Sequence, residues 1–118
     1  MSALAARDAK SVTVLVWNYH DDDLPAAAAA VELTIEALPN GRPTMTHYRV
    51  DKELSNSYEA WKKMGSPQQP TAQQYAELEK AGQLHTLGNP TRLQVSNGRV
   101  VIPFTLPRQG VSLIKLEW

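Results

Sequence analysis

At 118 residues the chain has the length of one domain, enough for a modest core but small for an enzyme that must also build a deep substrate pocket. Its 12 basic and 12 acidic residues cancel, so it lacks the basic excess of a nucleic-acid binder or of a protein drawn to anionic membranes. With no cysteine, disulfides, thiolate catalysis and cysteine-based zinc sites are excluded.

Met1 to Lys10 (MSALAARDAK) lacks the long apolar stretch of a signal peptide. It reads as a disordered or linker-like N-terminus before a domain at 11–118. No apolar run has the length of a membrane span. The expectation is a soluble chain, with the cytoplasm favoured over export.

Ser11 to Asn18 (SVTVLVWN) is apolar and β-branched on both faces, the pattern of a strand covered on both sides. Tyr19 to Pro25 is a polar loop, and the alanine run 26–30 leads into a strand. Val31 to Leu38 alternates, with Val31, Leu33, Ile35 and Ala37 on one face and Glu32, Thr34 and Glu36 on the other. Pro39-Asn40-Gly41 signals a turn. Thr44 to Val50 is a third strand, with Met45, His47 and Arg49 on one face and Tyr48 and Val50 on the other.

The period then changes. Ser55 to Met64 places Tyr58, Trp61 and Met64 at helical spacing, and Gly65 stops it. Thr71 with Gln74 has capping-box spacing and opens a second helix, which Gly82 ends. Tyr75 and Leu78 form its apolar face. Around Asn97-Gly98 the segments 92–96 and 99–106 read as a tight hairpin that pairs Val95 with Val100 and Leu93 with Ile102. Pro103 cannot donate to a ladder, which places that strand at an edge or a bulge. Val111 to Trp118 closes the domain. The fold class is mainly β: an antiparallel β-sandwich with a short two-helix excursion between strands three and four.

None of this assembles a catalytic site. His20, His47 and His85 form no close-spaced ligand pair. There is no G-x-S-x-G elbow and no glycine-rich phosphate loop. Asp21 to Asp23 offers oxygens for calcium, but without the spacing of an EF-hand; a solvated loop capping its own backbone is the simpler reading. A glycosidase needs two carboxylates about 5–5.5 Å apart for retention or about 6.5–9.5 Å for inversion. Glu32 and Glu36 stand roughly 13 Å apart along a strand, and Glu77 and Glu79 leave different sides of a helix. Trp17 and Trp61 lie on apolar faces and read as core residues rather than a sugar-stacking platform. No cofactor and no metal is expected.

Five segments are similar to the C-terminal part of family-39 glycoside hydrolases, the β-xylosidase group. They are Val14 to Asp23 (VLVWNYHDDD), Thr46 to Asp51 (THYRVD), Ser55 to Pro67 (SNSYEAWKKMGSP), Pro70 to Leu84 with its P-T-x-x-Q-Y and A-G-Q-L elements, and Phe104 to Leu116 (FTLPRQGVSLIKL). They occur in the family's order and cover nearly all of the chain after residue 10. The alanine run stands where the family carries a more varied, proline-containing stretch.

The resemblance implies a β-sandwich packed beside a catalytic (β/α)8 barrel. The acid/base and nucleophile glutamates belong to that barrel, so no residue here receives those roles. It also implies that the helical excursion approaches an active-site entrance or an interface, which singles out Asn56, Tyr58 and Trp61. The implied activity of the parent enzyme is removal of xylose from the ends of xylooligosaccharides with retention. The expected partners are then a barrel or another copy of the chain, with a xylooligosaccharide nearby. A stand-alone carbohydrate-binding module and a purely structural assembly domain are the alternatives. An exposed aromatic row on one sheet face favours the former, and an apolar patch away from any sugar-sized groove favours the latter.

Overall fold

The computed structural model describes residues 2–18 and 28–118. The Asp21 to Asp23 loop and His20 lie outside the described residues. Among the described residues eight strands and two helices follow in the order β1 (Ser2–Arg7), β2 (Ser11–Trp17), β3 (Ala29–Ile35), β4 (Thr44–Val50), α1 (Ser57–Lys63), α2 (Ala72–Ala81), β5 (His85–Thr86), β6 (Thr91–Arg92), β7 (Val100–Leu106) and β8 (Val111–Glu117). The larger sheet has the order β1-β2-β8-β4-β5, with β6 also on β4, and the smaller pairs β3 with β7. All pairings are antiparallel. The mainly β sandwich with a two-helix excursion is therefore observed.

The period-2 alternation decides what lies between the sheets. Val12, Val14 and Val16 of β2 align with Leu116, Ile114 and Ser112 of β8, and all six are buried. Val100, Ile102 and Leu106 of β7 are buried too, with Leu38 and Val95 closing the end of the core. Val31, Leu33 and Ile35 of β3 pack against this cluster from the edge of the smaller sheet.

Two expectations need correction. The N-terminus is not a linker: Ser2–Arg7 pairs in register with β2 from Ser2↔Trp17 to Arg7↔Val12. Asp8 tightens the connecting turn by accepting from the backbone N–H of Lys10 and Ser11, both at 2.9 Å, and these bonds hold its carboxyl below the usual carboxylate range. The strand escapes sequence reading because it buries nothing; all six residues are exposed.

The second correction concerns the hairpin. Asn97 and Gly98 both have positive φ, 58° and 72°, as a type I′ turn requires, and Ser96 bridges Arg99. The ladder ends there. Leu93 donates its N–H to the Pro43 carbonyl at 2.9 Å, and Val95 exchanges backbone bonds with Gly41. Ile102 faces Leu33, and Val100 faces Ile35. The turn is thus a corner where the chain leaves the edge of the larger sheet for the smaller one. Pro103 sits opposite Glu32 on β7, whose only strand partner among the described residues is β3, so within them the strand has the open edge that its proline predicted.

A candidate interface on the outer sheet face

Trp17 is not a core residue. With valine at 12, 14 and 16 facing inward, it shares the outer face of β2 with Leu15 and is half-buried. The register extends this face across the sheet. Leu4 opposes Leu15, Leu15 opposes Leu113, and Leu113 opposes Tyr48. In the next row Trp17 opposes Val111, which opposes Val50. Leu4 is 65% exposed. Beside Trp17, Leu15 and Val111 join Asn18, Gln109 and Gly110 around an open cleft of about 310 Å³. Strands β2 and β8 carry apolar residues on both faces and β4 adds Tyr48 and Val50 to the outer one, while the smaller sheet packs on the inner face alone.

The helical excursion is built differently. Neither helix has a buried residue, so hydrogen bonds hold it to the sandwich. Asp51 Oδ1 accepts from the N–H groups of Glu53 and Leu54, both at 2.8 Å. Ser55 Oγ donates to the Arg49 carbonyl and accepts from the His85 N–H, each at 2.8 Å. Asn56 faces two ways: its Nδ2 donates to the Asp51 carbonyl at 2.9 Å, and its Oδ1 accepts from Glu59 N–H at 3.0 Å as the cap of α1. Asn56 is a hinge pin of the excursion. On α2 the capping box of Thr71 and Gln74 is formed as expected, while Tyr75 points to solvent, 62% exposed.

Of the three residues singled out on this excursion, Tyr58 and Trp61 do come together. Their ring centroids are 5.9 Å apart, tilted by 30°. Trp61 donates its indole N–H to the Pro67 carbonyl at 2.8 Å, while Tyr58 is 63% exposed with Lys62 Nζ 5.2 Å over its ring. Among the described residues, no group of three or more acidic or histidine side chains is disposed to hold a metal. No described helix is long and apolar enough to cross a membrane.

The sequence profile of glycosyl hydrolases family 39 matches residues 2–95. The chain belongs to this family. The family-39 chain is similar in structure to the GH39 enzyme from Xanthomonas axonopodis pv. citri, with a TM-score of 0.84 and 22% identity over 98% of this chain and 25% of that one. It is similar to a monomeric β-xylosidase from Caulobacter crescentus CB15, with a TM-score of 0.77 and 25% identity over 98% of this chain and 26% of that one. A bacterial orthologue of human α-L-iduronidase gives a TM-score of 0.81 and 22% identity over 98% and 22% of the two chains. The family-39 chain thus spans about a quarter of the length of these structures. No curated protein sequence matches it.

Proposed function

We propose that this chain is the accessory β-sandwich of a β-xylosidase-like family-39 glycoside hydrolase, and that the outer face of its larger sheet docks on a catalytic (β/α)8 barrel. One observation carries the reading. The described fold corresponds to a quarter of each similar enzyme, and its central strands carry a second apolar face that the other described residues leave partly open. Leu15, Leu113, Trp17 and Val111 are the centre of that face, with Leu4, Tyr48 and Val50 at its margins. An uncovered apolar patch rimmed by polar groups is the mark of an interface. Asn56, Tyr58 and Trp61 have no place in the chemistry of bond cleavage under this reading. They build and display an arm beside the docked barrel.

The carbohydrate-binding alternative finds less support. The rings on the outer face, Trp17 and Tyr48, sit in different rows among aliphatic residues, and Lys62 stands over the exposed ring of Tyr58. The direct test mixes the purified chain with a family-39 barrel lacking the corresponding quarter. Complex formation and restored hydrolysis of an aryl β-xyloside are expected, with an aryl α-L-iduronide assayed in parallel to identify the parent sugar. Leu113→Asp should abolish the complex, while Tyr58→Ser should not. Failure of the wild-type chain to bind any such barrel would overturn the proposal.

A further inference from the structure

One buried cluster is not used by the docking face. His47 and Arg49 enter the core from β4 and Ser112 from β8, at 9%, 4% and 0% exposure. His47 Nε2 lies 2.8 Å from Ser112 Oγ, and Arg49 Nε donates to the same oxygen at 2.9 Å. Arg49 then crosses to the smaller sheet, where one Nη donates to the Thr105 carbonyl at 2.7 Å. Its other Nη faces Asp51 Oδ2 at 3.5 Å. The neighbouring residue of β7, Phe104, meets the His47 ring edge to face at 5.1 Å. One hydrogen bond and one ring contact from β4 thus hold β7 against the larger sheet.

Burial beside a fixed cation disfavours a charged His47. A guanidinium only donates, so Ser112 Oγ accepts from Arg49, and its hydroxyl is placed to share a hydrogen bond with Nε2 of a neutral His47. A second proton on the ring would bury two cations side by side. The groups facing His47 offer no compensation. On β8 there is the Ser112 hydroxyl, and on β7 the Phe104 ring and the Thr105 carbonyl. On β4 there is Arg49, with Asp51 beyond it. On β5, His85 is the register partner of Arg49, but its Nε2 pairs with the Lys80 carbonyl at 2.9 Å. Among the described residues no carboxylate contacts the His47 ring. Burial, and then the Arg49 charge, accordingly push His47 down to about 4.

We propose that the His47–Ser112–Arg49 cluster is an acid-released clasp between the two sheets: charging His47 frees β7, and loosens the helical excursion that hangs from Arg49 and Asp51. Opening lets the ring reach water, so the open form takes up the proton that the closed form refuses. Hydrogen exchange of the 118-residue chain, corrected for intrinsic rates, tests this at pH 7.5 and pH 5. Relative to the amides of the β2–β8 ladder, the opening of β3 and β7 should increase about thirtyfold, the factor set by an open-state histidine near 6.5 and a closed-state one near 4. His47→Gln keeps an acceptor for Ser112 but cannot titrate, and should remove the pH dependence. An equal change in both sheets, or one that survives in His47→Gln, overturns the proposal. Should that variant not fold, the wild-type His47 ring resonance decides. It must keep its neutral shift down to about pH 5; a ring titrating near its ordinary value also overturns the proposal.

Discussion

His47 and Arg49 alternate with Tyr48 along β4, and it is the polar pair that turns inward. The arrangement is tolerated because the Arg49 guanidinium meets acceptors on three sides: Ser112, the Thr105 carbonyl and Asp51. It also has a pH signature. His47 titrates near 4 when folded and near 6.5 when unfolded, so between these values the unfolded chain holds the extra proton. The contribution of His47 is full above about pH 6.5, falls as pH drops, and is lost below about pH 4, at most about 3 kcal/mol in all. Chemical denaturation across this range should show the fall, and His47→Gln should flatten it. Gly98 is constrained by its backbone. At φ 72° an added Cβ would lie 3.2 Å from the Leu38 carbonyl, which itself belongs to the corner closed by Leu38 N–H donating to Gly98 O at 2.9 Å. Gly98→Val should cost ~2 kcal/mol or more, measured as a clear drop in Tm.

The two helices lack a buried side, so their stability rests on caps and tethers rather than on packing. Asn56 serves as both for α1. Asn56→Ala should remove ~1–2 kcal/mol, and the loss should be local. Proteolysis or exchange should report opening of 57–82 while the β2–β8 ladder stays protected. Equal loosening of both regions would show that the excursion is cooperative with the sandwich. Among the strands, the contrast between β1 and β2 is instructive. β2 is specified by its valines, whereas β1 is held by its ladder, its Asp8 turn and one bond from Arg7 to the Ala37 carbonyl at 2.6 Å. Its outer edge, unpaired among the described residues, carries no proline and only one charge, a weakly protected edge.

The whole molecule is extended for its size. Its radius of gyration is 16.9 Å, against about 13.5 Å for a compact chain of this length. An arm without a core, and a sheet whose outer face the described residues leave partly open, are the features on which the proposed docking rests. Under that proposal the isolated chain should self-associate through the outer face at high concentration. Light scattering over a dilution series should detect this, and Leu113→Asp should suppress it. A monomer at every concentration would argue against an interface there. The isolated chain should not hydrolyse aryl-xylosides, because a family-39 reaction needs two carboxylates facing across a sugar. Turnover that co-purifies with the chain and vanishes on replacing one Asp or Glu would contradict this.

Alternation, turn residues and caps made most elements readable directly. The valines of β2, the Asn97-Gly98 turn, the Thr71–Gln74 box and the helical spacing of Tyr58 and Trp61 are local signals, set by backbone sterics and by partners a few residues away. The apolar character of both faces of 11–18 was equally plain in the residues; which face this chain buries was not. That choice belongs to the smaller sheet, which covers Val12, Val14 and Val16 and leaves Leu15 and Trp17 outside. The same holds for the hairpin. Residues 97–98 dictate a tight turn, but whether the ladder continues depends on competing strands, and β3 and the Gly41–Pro43 segment win the bonds that 93–95 and 100–102 would otherwise share. The polar core is the clearest case. A His-Tyr-Arg run says nothing about which side is dry, because burial of His47 and Arg49 becomes tolerable only when Ser112, 63 residues beyond Arg49, and the Thr105 carbonyl of the opposite sheet arrive to satisfy them.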